Sequence, residues 1–240
     1  MADLSGRVAL VTGSTKGIGR AVAEALAAAG ADVAVSSRTP ADVERAASEL
    51  DAVSPGRVVG IPADVSRVED CRSLVADTVE LLGGLDILVN NAGIGVFKPI
   101  QEISIEEWQR QIDTNLGGVF YCSKFALPHL LASDDAWIVN IGSLACRNTF
   151  PGGVGYNASK FGLLGMTEAM MLDVRDQGVR VSIVMPGSVE TWFNDHEPGP
   201  EGAWKLQPED IARAVLHVVS YPDNALASRI EMRPSRPPRR

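Results

Sequence analysis

Seven short apolar runs alternate with six stretches of helical spacing from one end of this chain to the other. The runs are Arg7–Thr12, Asp32–Ser36, Val58–Ile61, Ile87–Val89, Trp137–Ile141, Val179–Val184 and Arg229–Met232. Several are unbroken Val, Ile and Leu, as expected of strands covered on both faces. Between them the spacing predicts helices over Ile18–Ala29, Ala41–Leu50, Val68–Leu82, Ile105–Leu131, Val154–Asp176 and Pro208–Val219. Strand and helix in strict alternation give a parallel sheet with right-handed crossovers. The expected fold is a single α/β domain over 1–240, a doubly wound parallel sheet of about seven strands with helices on both faces.

The composition agrees, with 45% hydrophobic and 22% charged residues in 240. A formal charge of −8 argues against a nucleic-acid surface. Neither a leader segment nor a membrane-length apolar run is present, so a soluble cytoplasmic protein with no membrane partner is expected. Cys71, Cys122 and Cys146 lack metal or redox spacing and read as buried, reduced thiols. His129, His196 and His217 form no ligand-like cluster, and no metal site is expected. The segment Thr191–Leu206 is the main irregular stretch, and the tail Arg233–Arg240 is rich in Pro and Arg.

The first strand runs into Gly13-Ser14-Thr15-Lys16-Gly17-Ile18-Gly19 and then an Ala-rich helix. Glycines there let the backbone approach a pyrophosphate, whose charge meets the helix N-terminus. The spacing is not that of a P-loop, because Lys16 is followed by Gly17. A dinucleotide and a Rossmann-type fold follow. The second strand ends Ser36-Ser37-Arg38, where an NAD binder usually has an acid and an arginine accommodates a 2′-phosphate. Asp32 stands at the wrong end of that strand, and Lys16 offers a second positive charge. The expected cofactor is NADP(H).

Tyr156 and Lys160 are four residues apart, on one face of the predicted helix Val154–Asp176. An ammonium beside a phenol lowers its pKa from about 10. A tyrosine so placed can trade a proton at neutral pH.

Together these features resemble the short-chain dehydrogenase/reductase family. The resemblance rests on Gly13, Gly17 and Gly19, on Asp64-Val65, on Asn90-Asn91-Ala92-Gly93, on Asn115, on Ser143 with Tyr156 and Lys160, and on Pro186-Gly187 with Thr191. It implies that Tyr156 donates a proton to a carbonyl oxygen while Ser143 hydrogen-bonds that oxygen. Lys160 would hold the nicotinamide ribose and lower the Tyr156 pKa, and Asn115 would hold a relay water. Asp64 and Val65 would meet the adenine. Asn91, Ala92, Gly93, Pro186, Gly187, Val189 and Thr191 would line the cofactor, with Asn90 structural. Dimers or tetramers would form through the two long helices, where Gly117, Gly118, Gly162 and Gly165 permit close approach.

Within the family the chain resembles 3-oxoacyl-acyl-carrier-protein reductases and carbonyl reductases like them. It departs where an acidic carrier protein would dock, reading Ala132-Ser133-Asp134-Asp135-Ala136 and Asp176-Gln177-Gly178. Acids there repel an acidic partner. The glycine pair usual near the C-terminus is missing, and the 191–206 segment carries Trp192, Phe193 and Trp204. A free ketone or aldehyde is the expected substrate, with reduction to the alcohol reversible.

Overall fold

The structure, a computed structural model, describes residues 3–238; Arg239 and Arg240 of the predicted tail lie outside them. Seven strands, β1 (Val8–Thr12), β2 (Asp32–Ser36), β3 (Val58–Gly60), β4 (Ile87–Asn90), β5 (Ala136–Ile141), β6 (Val179–Pro186) and β7 (Arg229–Met232), form one sheet. Their order is β3-β2-β1-β4-β5-β6-β7, and every pairing is parallel. The helices are α1 (Gly17–Ala28), α2 (Pro40–Asp51), α3 (Val68–Leu82), α4 (Ile105–Ile112), α5 (Gly118–Leu130), α6 (Val154–Val174) and α7 (Pro208–Val219).

Two apolar clusters sandwich the sheet. One joins Val11, Val33, Val89 and Val139 to Leu26 of α1 and to Ile211 and Val215 of α7. The other joins Leu10, Leu88, Ile138 and Val181 to Leu74 of α3, Leu130 of α5 and Val174 of α6. Side chains alternate across a strand, so both faces of β1 and β5 must be apolar. That explains the unbroken runs read from the sequence.

The predicted helix Ile105–Leu131 is two helices. A π-helical segment, Asp113–Gly117, separates α4 from α5. Two forces act there. Gly117-Gly118 weakens the helix, and the Asn115 side chain spends its hydrogen bonds outside it, accepting from the Ile94 amide (2.8 Å) and donating to the Ile94 carbonyl (2.9 Å). Single π turns of this kind cluster at functional sites. At Gly118 an added Cβ would stand 2.8 Å from the Val65 carbonyl oxygen, and at Gly162 3.1 Å from Leu116. These glycines serve packing within the chain; of Gly117, Gly118, Gly162 and Gly165, Gly165 alone faces open space.

A charged network closes the amino-terminal edge of the sheet. Arg7 bonds Asp135 and lies 3.8 Å from Asp86, while Arg180 pairs with Asp135 and lies over the Trp137 ring at 4.2 Å. Asp135 is therefore engaged internally, whereas Asp134 and Asp176, the latter at 91% side-chain exposure and 3.8 Å from Arg175, remain at the surface of the two acidic sites set against a carrier protein. All three cysteines are free and buried. Among the described residues no helix is long and apolar enough to cross a membrane.

Trp137 is fully buried at the centre of this arrangement. Replacing it with Ala is expected to cost about 3–5 kcal/mol and to lower Tm by about 10 °C. Chemical denaturation measures this; a loss under about 1 kcal/mol would show that the edge closes without the ring.

Candidate active site

Reversal of strand order between β1 and β4 opens a crevice at the carboxyl ends of the strands. Every loop of interest leaves the sheet on that edge. At β1 the chain turns through Gly13 (φ +63°) and Gly17 (φ +58°), both in the left-handed region that disfavours a side chain. A Cβ at Gly19 would stand 2.3 Å from the Gly13 carbonyl oxygen, and one at Gly13 2.8 Å from the Ala92 Cα. The turn thus closes on itself and on the loop after β4.

The turn fits a pyrophosphate. The α1 N-terminus has no capping side chain on Lys16 and no acid in its first turn. By contrast, α4 and α7 start with capping boxes and acids. The first amides of α1 are left to an anion. Thr15, Ile18 and Val189 are partly exposed, and Lys16 and Arg38 are exposed. Ser14 is used internally: its hydroxyl donates to the Val11 carbonyl (2.6 Å) and accepts from the Ser36 amide (2.9 Å), stitching β1 to β2. Asp64 accepts from the Ser66 amide and hydroxyl at 3.0 and 2.7 Å, and Val65 is buried.

After β4 the asparagines divide. Asn90 donates to Ser123 (3.1 Å) and Asn140 (2.9 Å), tying β4 to α5 and β5 as expected. Asn91 is also a tie, donating to the Thr12 and Gly13 carbonyls, each at 2.9 Å. Gly93 lies against the reactive cluster. A Cβ there would stand 3.3 Å from Asn115 Oδ1 and 4.0 Å from Lys160 Nζ.

Ser143 follows β5 in an extended conformation, its hydroxyl accepting from the Ala145 amide at 3.1 Å. Tyr156 and Lys160 lie one turn apart on α6. Burial pushes the Tyr156 pKa up to about 12, with the Ser143 hydroxyl offsetting part of that rise. Burial pulls Lys160 down to about 8. The sequence predicted the opposite shift for the phenol. The reason is geometric: Lys160 Nζ sits 5.8 Å from the Tyr156 ring centre and donates to the Ile141 carbonyl at 3.0 Å. Desolvation outweighs an ammonium held against the ring in this way.

Asn115 also differs from expectation at its side chain. Besides clamping Ile94, its amide donates to Ser159 (3.1 Å), whose hydroxyl donates to the Tyr156 carbonyl (2.8 Å). Asn115 therefore links the loop after β4 to the helix carrying Tyr156, and its amide group is taken.

Sequence reasoning missed three further groups. Asn157 donates to the Ala145 and Asn148 carbonyls, each at 2.9 Å, and shapes the loop leading to α6. Gln111 accepts from the Val96 amide at 3.0 Å while its buried amide nitrogen has no partner. Phe97, Phe150 and Phe193 converge on the Tyr156 ring at centroid distances of 5.3, 6.4 and 5.9 Å. Phe193 was legible as an aromatic of the 191–206 segment, but its meeting with Phe97 and Phe150 was not, since the three rings come from three separate loops.

Pro186 ends β6 and Gly187 donates to the Met232 carbonyl at 2.8 Å. The Thr191 methyl lies 3.4 Å from where a Cβ on Gly17 would stand, joining this loop to the glycine turn. The 191–206 segment is fastened by buried Glu190, which accepts from the Gly199 amide (2.9 Å) and Lys205 (2.5 Å) and pairs with His196 (3.1 Å). Lys205 above all holds this carboxyl down at about 2, so it stays ionised at neutral pH. Sequence gave His196 no role; it belongs to this clasp.

Residues 7–200 match the short chain dehydrogenase family. Glycine betaine reductase ATRR of Emericella nidulans is 36% identical over 96% of this chain, which spans only 19% of that protein's length. Glucose 1-dehydrogenase 2 of Bacillus subtilis is 35% identical, over 91% of this chain and 89% of its own. An alcohol dehydrogenase from Thermococcus sibiricus, solved with 5-hydroxy-NADP, superposes with a TM-score of 0.90 at 31% identity, covering 97% of this chain and 99% of that one. The chain belongs to the short-chain dehydrogenase/reductase family of oxidoreductases.

Buried Lys160 is expected to cost stability. Its charged form is disfavoured in the fold, fully so below about pH 8 and progressively less as pH rises toward the ordinary value of 10.5. Lys160→Met should therefore stabilise the cofactor-free protein by roughly 1–3 kcal/mol at pH 7, and by less at pH 10. Denaturation at both pH values tests this; a Met variant less stable at pH 7 contradicts it.

Proposed function

We propose that the protein is an NADP(H)-dependent reductase that converts a ketone or aldehyde to the alcohol, reversibly. The observation that carries the reading is that Ser143 and Lys160 gather at Tyr156, beside Gly93, on the strand edge that also bears the glycine turn and the uncapped α1 N-terminus. The nicotinamide supplies the hydride when reduction is the direction taken. The chain's own residues bind, orient and move a proton. The α1 amides and the glycine turn take the pyrophosphate, with Ala92 and Gly93 beside them. Asp64 and Val65 meet the adenine, and Pro186, Gly187, Val189 and Thr191 close over the nicotinamide end.

Tyr156, neutral at physiological pH, donates its hydroxyl proton to the carbonyl oxygen as negative charge develops there. Ser143 donates a hydrogen bond to the same oxygen. Lys160 donates to the ribose hydroxyls and, with cofactor in place, draws the phenol back toward a value suited to proton exchange. Asn115 fixes the helix and loop that hold this group. The 191–206 segment serves as the substrate lid. Exposed Phe120, Phe161 and Leu172 on α5 and α6 support assembly as a dimer or tetramer through those helices.

The preference for NADP(H) is supported by exposed Arg38 and Lys16 at the β2 end of the crevice. A structural relative bound to 5-hydroxy-NADP points the same way. A carrier-protein substrate is disfavoured by solvent-exposed Asp176.

NADPH oxidation over a panel of ketones and aldehydes tests the reaction. Tyr156→Phe is expected to lower kcat by at least a hundredfold and to leave NADPH affinity within about twofold. Near-native turnover would remove Tyr156 from the proton-donor role. Arg38→Ala is expected to weaken NADPH by at least tenfold, the loss of one charge-assisted contact to phosphate, and NADH hardly at all. Equal losses for both would place the 2′-phosphate elsewhere.

A further inference from the structure

We propose that Phe97, Phe150 and Phe193 form a seat for an aromatic ring, and that the substrate is an aryl aldehyde or aryl ketone. This rests on the carbonyl-reduction reading above and names its substrate class. The three phenylalanines come from the loops after β4, β5 and β6, so three strand ends build one patch. Each remains well exposed, at 41%, 39% and 37% respectively. Large apolar side chains grouped in the open mark binding surfaces.

The rings form one connected group around the proposed proton donor. Phe97 stands edge-on to Tyr156 (5.3 Å, 89°) and to Phe150 (5.4 Å, 79°), and Phe193 leans against both Tyr156 (5.9 Å) and Phe97 (6.3 Å). All these separations lie in the range where aromatic pairs attract beyond their area. Bare backbone makes room for them. A Cβ on Gly95 would stand 2.7 Å from the Phe193 ring and 2.9 Å from the Phe97 ring, and one on Gly153 2.9 Å from the Phe150 ring.

Charges flanking the patch are occupied. Lys98, next to Phe97, is 2.6 Å from Glu107, and Arg147, on the Phe150 loop, is 2.6 Å from Glu231. Neither is held ready for a substrate carboxylate or phosphate. A trimethylammonium group favours ring faces turned to one point, whereas Phe97 meets two of its neighbours edge-on. A flat aryl group suits that geometry. Seated there, it brings an attached carbonyl to Tyr156 and Ser143. The reaction balances: C=O, NADPH and one proton, passed through Tyr156, give CH–OH and NADP⁺.

The test compares kcat/KM with NADPH for benzaldehyde, cyclohexanecarbaldehyde, propanal, glucose and trimethylammonioacetaldehyde. Benzaldehyde is expected to lead, by at least about tenfold over propanal. Phe97→Leu, Phe150→Leu and Phe193→Leu are each expected to cut the benzaldehyde-to-propanal ratio roughly three- to tenfold, with the melting temperature and NADPH affinity unchanged. A ratio that survives all three changes, or a lead by any of the other four compounds, overturns the seat. If the wild type turns over none of the five, the carbonyl-reduction reading fails by itself. The seat is then judged by binding of benzaldehyde to the NADPH-loaded Tyr156→Phe protein, followed by ligand-observed NMR. Binding weakened by Phe193→Leu supports it, and absence of binding refutes it.

Discussion

Seven parallel strands end on one edge of one sheet, and nearly everything else in this protein depends on that constraint. Parallel strands need crossovers, and crossovers cover both faces with helices. What stays open is the carboxyl edge, and the reversal of order between β1 and β4 leaves a crevice in it. The glycine turn, the loop carrying Gly93, Ser143 and the 191–206 segment all leave from this edge. A few internal ties hold their spacing. Asn90 bridges to Asn140, Asn91 reaches the β1 turn, and Ser14 stitches β1 to β2. Each satisfies a buried polar group that would otherwise be costly.

Against this frame, the cluster around Tyr156 is held at an energetic cost. A lysine amine buried beside an aromatic ring is a poor component of a core. The surroundings supply it with the Ile141 carbonyl and little else. Asn115 and Ser159 connect the helix bearing Tyr156 to the loop bearing Gly93, through a π turn that breaks the regular helix. Local irregularity and a buried charge occur together here, the usual pattern where a fold trades stability for chemistry. The remaining wall is the 191–206 segment, with little regular structure of its own. Glu190 compensates by gathering Gly199, His196 and Lys205 onto one carboxylate. Aromatic side chains can then project from a loop whose base is fixed.

The alternation of apolar runs and helical spacing determined the sheet and its helices, because each face of each strand had to be buried. Glycines at fixed places determined the β1 turn, because positive φ excludes other residues at Gly13 and Gly17. Ordered motif residues determined which side chains meet in the crevice. Sequence left out quantities set by distance and desolvation. Lys160 lies near Tyr156 in the chain and in space, yet the phenol's shift follows from burial and from where Nζ points. Asn115 was legible as a motif residue, but its partners Ile94 and Ser159 were not, since one sits on another loop. Asp135 reads as a surface acid and is drawn into Arg7 and Arg180. Phe97, Phe150 and Phe193 are separated by scores of residues, and only closure of three loops over one strand edge brings their rings together. Local pattern fixes elements because backbone and burial preferences are short-ranged; the electrostatics and walls of a pocket are long-range sums that exist only once the chain has folded.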